Sequence, residues 1–558
     1  MAKDERHPRK RFWAWSALAG LVSAAAFLAS AELVALIVAR EGSPILAVGS
    51  FVIDIVPRWA KEFAIETFGA NDKLFLLLGL AFGVAVAAAV AGVLQFLRPP
   101  LGVIALGLAG VLSTAAIVTR AGASALAWLP PVVGTIVGAT LLWLLITKLR
   151  SWRDDVVASR RDAVPVTDAA DTSPAPSAAA AGPAASATLA ASATPASSAA
   201  KSPVDRRGFL RLLGISAAGA VIVGVGARVV NVTTGSIDAV RKALKLPAAR
   251  EKVMVPDGAD LDIPGITPLF TSNKDFYRVD TALTVPSIDP DSWTLTIDGM
   301  VGEKVELSFD DLVGMGLNEY SITLTCVSNE VGGDLLGTAK WLGIPVRDVL
   351  KKAAPKSGAD MVLSRSIDGF TASTPLASLT DPKLDAILAV GMNGEPLPLE
   401  HGFPVRMVVP GLYGYVSATK WLTELTVTTF AKDEAYWTPR GYSAKAPIKF
   451  SSRIDTPRLD KAIDAGPVKV AGVAWAQTVG IKQVDVKIDD NDWQAAKLSV
   501  PVNVDTWVQW YVDWEATSGT HYVTVRATDK NGEQQVEERA PIAPDGSSGL
   551  QKTLIRVN

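Results

Sequence analysis

The chain has 558 residues, is 49% hydrophobic with mean hydropathy +0.27, and carries a formal net charge of −2, so its length predicts three or four domains and its apolar excess excludes a uniformly soluble protein. One cysteine, Cys326, and three histidines, His7, His401 and His521, exclude an intramolecular disulfide, a structural zinc site of the usual ligand spacing, a cysteine-held iron–sulfur cluster and attached haem. No cluster of basic and aromatic residues suggests nucleic acid as a partner.

Four stretches, residues 12–38, 74–97, 101–119 and 126–147, are apolar and long enough to cross a hydrocarbon core of about 30 Å. They predict an α-helical transmembrane bundle of four helices over residues 1–150. A run at 45–56, interrupted by Asp54, is too short to span and reads as an interfacial or re-entrant piece. Lys3, Arg6, Arg9, Lys10 and Arg11 precede the first span, and Lys148, Arg150, Arg153, Arg160 and Arg161 follow the fourth. Both ends are therefore expected in the cytoplasm, as an even helix count requires. Pro130 and Pro131 are expected to kink the fourth span or delay its start.

Residues 12–147 contain no histidine, cysteine or methionine, so the bundle cannot hold a haem by ordinary axial ligands. Gly79 with Gly83, and Gly134 with Gly138, predict small-residue faces for helix contact, which suits an anchor or a partner-docking bundle. Glu32 lies in the first span, where a central charge costs about 2.5–3.5 kcal/mol on insertion scales. It is expected near the outer interface or neutral against another helix, with a quinone or proton site as the sharper alternative.

Residues 151–204 read as a linker, and its Ala-, Ser- and Pro-rich part has almost nothing to bury. It ends at Asp205-Arg206-Arg207-Gly208-Phe209-Leu210-Arg211, followed by a moderately apolar run. Residues 205–230 resemble a twin-arginine export signal, here internal, that also forms a fifth transmembrane helix. The alternative is a plain fifth span obeying the positive-inside rule. Because the twin-arginine route carries folded domains, the signal implies a cofactor downstream. Gly224-Val225-Gly226 mimics part of a dinucleotide fingerprint, but no strand precedes it and no third glycine follows in place.

The remainder is expected on the extracytoplasmic side of the cell membrane. Its residues leave three options for Cys326: a thiolate ligand to a cofactor metal, a nucleophile, or a small buried side chain.

The run Thr323-Leu324-Thr325-Cys326-Val327-Ser328-Asn329-Glu330 and then Trp341-Leu342-Gly343-Ile344-Pro345 resemble the metal-ligating segment of the sulfite oxidase family. Asn273-Lys274-Asp275-Phe276-Tyr277-Arg278 upstream, and His401-Gly402-Phe403-Pro404-Val405-Arg406 with Ser417-Ala418-Thr419-Lys420 downstream, are similar to further motifs of that family in the same order. The resemblance implies an α+β molybdopterin-binding domain over residues 250–435, with one pterin per molybdenum and Cys326 as catalytic thiolate and metal ligand. It further implies a pterin pocket of Asn273, Tyr277, Arg278, Ser366, His401, Arg406, Ser417, Thr419 and Lys420. Within it Arg406 and Lys420 would neutralise the pterin phosphate and His401 would donate to the ring system. Two-electron oxo transfer between Mo(VI) and Mo(IV) is the expected reaction.

Residues 440–558 alternate as an all-β sandwich, with strands in 468–475, 484–488 and 521–527 and turns at 489–492 and 529–532. They resemble the immunoglobulin-like dimerisation domain of the same family, which admits a homodimer. Trp475, Trp493, Trp507, Trp510 and Trp514 read as core and edge packing.

The chain departs from the family where substrate is recognised. Glu330 and Asp334 follow Cys326 where sulfite oxidases carry an arginine, and Ser272 stands where another arginine is expected. A dianion needs cations beside the metal, so a neutral sulfoxide is the expected substrate, with sulfite oxidation the alternative if Arg347 or Arg365 approaches. A non-catalytic membrane assembly or receptor protein on the same scaffold is the reading of another class. The twin-arginine translocase and a membrane electron carrier, a quinone or a cytochrome, are the expected partners.

Overall fold

The computed structural model describes residues 6–38, 72–118, 126–162, 205–231, 234–282, 284–458 and 461–558. The apolar run at 45–56 and residues 163–204 of the linker lie outside them. The chain divides into two units, Met1–Val230 and Asn231–Asn558.

In the first unit α1 (Arg6–Val38), α2 (Asp72–Leu97), α3 (Leu101–Val118) and α4 (Leu129–Asp162) fall on the four expected spans. All four contain stretches long and apolar enough to cross a membrane. α4 begins at Leu129 rather than 126, with Pro130 and Pro131 in its first turn, where a missing N–H costs no hydrogen bond. It also runs on to Asp162, so residues 151–162 are helix and not linker. Trp152 gives the reason: its ring is buried against Phe12, at 5.3 Å, and Trp15, at 6.3 Å, which ties the extra turns to α1.

Small residues set the helix crossings, though only partly where expected. A Cβ on Gly134 or Gly138 would fall within 2.9 Å of atoms of Phe27 or Ala31 on α1. Gly79 and Gly83 meet nothing within 4 Å; the α1–α2 crossing is made instead by Gly20 against Ala88 and Gly92 against Ser16. Glu32 is half-buried. α5 (Asp205–Asn231) opens at the paired arginines, and its Phe209 is fully buried, edge-on to Trp15 at 5.9 Å. The Arg206 guanidinium lies over the Trp152 ring at 5.6 Å.

The second unit opens on α6 (Thr234–Ala243), with Ile237 packed on a sheet face. One five-stranded sheet runs β2 (Val305–Ser308), β1 (Thr294–Gly299), β10 (Leu422–Thr428), β5 (Met361–Ser366), β6 (Thr371–Pro375). β1 and β10 are parallel with Ile297 opposite Leu425, which the long excursion between them permits. The other sheet runs β3 (Asn318–Thr325), β4 (Leu336–Pro345), β7 (Ile387–Met392), β8 (Glu395–Pro396), with β9 (Arg406–Val408) also on β7. β7 is buried at every position, so its run Ile387-Leu388-Ala389-Val390 shows no alternation. Leu295, Ile297, Val349, Leu350, Leu388, Val390 and Leu425 share one core between the sheets. Each such side chain contributes about 1.5–3 kcal/mol.

The C-terminal region is a pair of four-stranded antiparallel sheets. β11 (Ser451–Thr456), β12 (Gly466–Trp475), β16 (Val508–Ala516) and β15 (Lys497–Leu498) form one, and β14 (Gln494–Ala495), β13 (Ile481–Ile488), β17 (Gly519–Asp529) and β18 (Gln551–Val557) the other. Val470, Val484, Val486, Trp510, Val512, Val523 and Val525 fill the core between them, as the alternating pattern predicts. Trp475 and Trp510 are buried. At the periphery Trp493 lies under the Arg526 guanidinium and Trp514 meets His521 edge-on. Trp507 instead belongs to a separate cluster with Leu269, Leu336 and Trp475, and its indole N–H donates to the Leu269 carbonyl over 2.9 Å.

Candidate active site

β3 delivers the cysteine. Its free edge is closed by residues 503–507 of the C-terminal region: Thr323 N–H donates to the Asp505 carbonyl (2.9 Å), Asn503 Nδ2 to the Ser321 carbonyl (3.0 Å) and Trp507 N–H to Thr323 Oγ1 (3.0 Å). With an edge so occupied, strand pairing cannot slip and the residue after the strand has a defined place. That residue is Cys326.

The loop that follows closes on itself. Cys326 N–H donates to the Leu335 carbonyl (2.9 Å), Asn329 N–H to the Cys326 carbonyl (3.0 Å), and Leu335 N–H to Asn329 Oδ1 (2.9 Å). The sandwich braces it from outside, through Arg453 Nη1 to the Gly333 carbonyl (2.9 Å) and Ser547 Oγ to the Asn329 carbonyl (2.7 Å). Burial pushes the Cys326 thiol up, while hydrogen bonds from Ser328 pull it down. Next to it Thr325 Oγ1 is buried without a hydrogen-bond partner.

Cys326 lines a pocket that is open to solvent. Of the residues named for the pterin pocket, Tyr277, Ser366, His401, Arg406 and Lys420 line it too. Asn273, Ser417 and Thr419 do not. Asn273 Oδ1 accepts from Asn393 Nδ2 (2.8 Å), Ser417 Oγ donates to the Tyr413 carbonyl (3.0 Å) and Thr419 Oγ1 pairs with Ser364 Oγ (2.7 Å), so all three brace the pocket's walls. Arg278 is half-exposed, with Nε on Asp280 at 2.8 Å.

The cations are held by backbone carbonyls and, for Lys420, also by the Asp280 carboxylate. Arg406 is buried; its Nε, Nη1 and Nη2 donate to the carbonyls of Met407 (3.3 Å), His401 (3.2 Å) and Ala418 (3.5 Å), and its guanidinium stacks on Trp341 at 5.1 Å. Two of its five N–H groups remain. Burial pushes it down only to about 10, so it stays charged. Lys420 donates to Asp280 Oδ2 (2.8 Å) and the Glu400 carbonyl (3.1 Å), over the Trp421 ring at 4.5 Å. Burial pushes Lys420 down to about 8. Gly402, at φ +112, lets the two cations converge, because a Cβ there would lie 3.0 Å from Arg406 Cβ and 3.1 Å from Lys420 Cβ. Trp421 adopts φ +50, a conformation costing a non-glycine residue about 1–2 kcal/mol, and is held there by its indole N–H on the Leu399 carbonyl (2.8 Å).

His401 departs from expectation. Burial, then Arg406, pushes it down to about 4, so it is neutral near pH 7. Nε2 lies 3.0 Å from the Asn273 carbonyl, which can only accept, so that nitrogen carries the proton. Nδ1 is thereby left as an acceptor, and the ring offers the pocket no donor.

The charges expected to repel an anion are also elsewhere. Glu330 and Asp334 are exposed and do not line the pocket. Arg365 pairs with Glu424 (3.2 Å) and Arg347 donates to the Leu384 carbonyl (3.1 Å), and neither lines the pocket. The carboxylates that do line it are Asp280 and Asp368.

The sequence reading missed an aromatic wall. Phe370, Tyr415, Trp437 and Tyr442 line the pocket, with Tyr442 5.5 Å from Tyr415 and 5.3 Å from Trp437. The aromatic density of residues 430–442 was the available signal.

The chemistry of the pocket's donors fits a metal-bound pterin: one soft sulfur ligand, Cys326, and two cations for a phosphate, Arg406 and Lys420. Residues 282–437 match the family described as "Oxidoreductase molybdopterin binding domain". The chain is 29% identical to mitochondrial sulfite oxidase of Macaca fascicularis over 344 residues, which covers 53% of this chain and 63% of that protein. It is 30% identical to mitochondrial sulfite oxidase of Rattus norvegicus over 297 residues, covering 46% and 54%. Among solved structures it is similar to the sulfane dehydrogenase SoxCD from Paracoccus pantotrophus, with 20% identity, a TM-score of 0.46, and coverage of 56% of this chain and 90% of that one. The chain spans less than two thirds of the length of these curated relatives.

Proposed function

The module that carries Cys326 belongs to the sulfite oxidase family of molybdopterin-dependent oxidoreductases, and from that premise we propose that the chain is a membrane-tethered enzyme performing two-electron oxo transfer on the extracytoplasmic side. Cys326 would hold the molybdenum, with Arg406 and Lys420 on the pterin phosphate and Tyr277, Ser366 and the His401 Nδ1 acceptor along the pterin. When bound, the molybdenum cofactor supplies the oxo-transfer and electron-storing chemistry. The residues of this chain orient it, seat Cys326 in the pocket's wall of side chains and shape the substrate's approach.

One observation carries the substrate class. The pocket's cations are Arg406 and Lys420, which the phosphate would occupy, and the rest of its lining includes Phe370, Tyr415, Trp437 and Tyr442. Such a surface favours a neutral substrate with apolar substituents, a sulfoxide above all. Sulfite is the second reading. It is supported by the likeness to sulfite oxidases and by the exposed positions of Glu330 and Asp334, which remove the repulsion that the sequence suggested. Steady-state oxidation of sulfite against reduction of aryl and alkyl sulfoxides separates the two, with the molybdenum EPR signal as the site-specific readout. Purified protein without molybdenum, unchanged by Cys326→Ser, would overturn both.

Four helices long and apolar enough to cross a membrane support the tether. Export by the twin-arginine route, with α5 as a fifth span, an immunoglobulin-like dimerising sandwich and a membrane quinone or cytochrome as electron partner complete the proposal. Replacing Arg206 and Arg207 by lysine should leave the second unit inside the cell; export regardless refutes that route.

A further inference from the structure

Asp280 has no place in the pocket expected from the motifs, yet its side chain is 4% exposed and lines the pocket beside Lys420. One of its oxygens, Oδ2, lies 2.8 Å from Lys420 Nζ and 2.8 Å from Arg278 Nε. We propose that Asp280 is a positioning residue for the cofactor's phosphate: it keeps Lys420 protonated and fixes one of its N–H bonds while the Glu400 carbonyl fixes a second, so that the third is directed at the anion. This inference rests on the cofactor reading above.

The geometry is that of a tethered ammonium. Lys420 has three donors. One goes to Asp280 Oδ2, one to the Glu400 carbonyl at 3.1 Å, and the Trp421 ring beneath at 4.5 Å limits the ammonium's rotation. A tetrahedral group with two vertices bound has its third fixed.

The electrostatics require a counterion. Lys420 is 10% exposed and faces the guanidinium groups of Arg406 and Arg278, all of which favour loss of its proton. Asp280 is the group that opposes them, by charge and by hydrogen bond. His401 is neutral and adds no charge near pH 7. The phosphate's counter-charge therefore falls on Arg406 and Lys420, and only Lys420 can lose its charge in the working pH range.

The test is retention of pterin by the purified full chain, measured as fluorescence of the oxidised pterin released after gel filtration at a series of pH values. For Asp280→Asn the pH of half-retention should fall by about one unit or more below that of wild type, roughly tenfold in retained pterin at the upper end. Asp280→Glu should restore the wild-type curve. Asp280→Asn combined with Lys420→Arg, whose guanidinium cannot lose its proton, should retain pterin above neutral pH. Equal loss at every pH, or a double variant as poor as the single one, overturns the inference in favour of a structural role for Asp280; an unchanged curve overturns it outright. Wild-type protein without pterin overturns the cofactor reading and this inference together.

Discussion

Thr323 and Asp505 are joined backbone to backbone, the Thr323 N–H donating to the Asp505 carbonyl over 2.9 Å, three residues before Cys326. The C-terminal sandwich is thereby part of the active site's frame. Four predictions test this frame and the chemistry within it.

The Asp505 carboxyl gives the frame a pH dependence. Burial pushes it up to about 6, partly opposed by the Thr478 N–H on Oδ1 at 3.0 Å. A raised carboxyl pKa means that the folded state holds the proton more tightly than the unfolded chain does. Its stabilisation is complete below about pH 4 and is lost as pH rises through about 6. Asp505→Asn keeps an acceptor for Thr478 and removes the titration. It should match wild type near pH 4 and be more stable by about 2 kcal/mol near pH 7, in urea unfolding at the two pH values.

Arg453 is the brace from the sandwich to the cysteine loop. It pairs with Asp455 at 2.6 Å, the two side chains 10% and 6% exposed, while donating to the Gly333 carbonyl and to Thr267 Oγ1. Arg453→Ala strands a buried carboxylate and should cost about 3–5 kcal/mol. Asn329→Ala, which strands only the Leu335 N–H, should cost about 1–3 kcal/mol. Both should lower molybdenum per chain, measured by elemental analysis alongside thermal unfolding.

Cys326→Ser exchanges a soft ligand for a hard one at nearly constant volume. Molybdenum content and oxo-transfer activity should fall to background, with apo-protein stability within about 1 kcal/mol of wild type. Activity persisting without the thiol would place the chemistry elsewhere.

The aromatic wall makes the substrate prediction. Trp437→Ala should raise KM for an aryl sulfoxide by about tenfold and leave sulfite turnover nearly unchanged. Glu330→Gln with Asp334→Asn should move neither KM by more than about twofold, because both carboxylates are exposed and outside the pocket.

Much of this was legible in order along the chain. The four long apolar helices show as apolar runs because a stretch able to cross a bilayer must be uninterrupted whatever its neighbours. The sandwich strands show because one face of each is solvated and the other is not, which forces alternation. β7 hides its alternation because both faces are buried. Of the nine residues expected around a pterin, Tyr277, Ser366, His401, Arg406 and Lys420 line the pocket with Cys326; Asn273, Ser417 and Thr419 turn to partners behind it, and Arg278 pairs with Asp280. A motif records residue type and spacing, and neighbours in a motif can face opposite ways.

By itself the sequence determined the four long apolar stretches, the single thiol, the motif order and hence the cofactor class, because these depend on residue type and on local periodicity. Tertiary structure alone decided which charges meet. It left Glu330 and Asp334 in water, brought Asp280 to Lys420 across 140 residues, turned His401 from donor into acceptor, and placed Asp505 against the strand that carries the thiol. Those relationships are set by burial and by the backbone carbonyls that reach each side chain, and both exist only once distant segments have packed together.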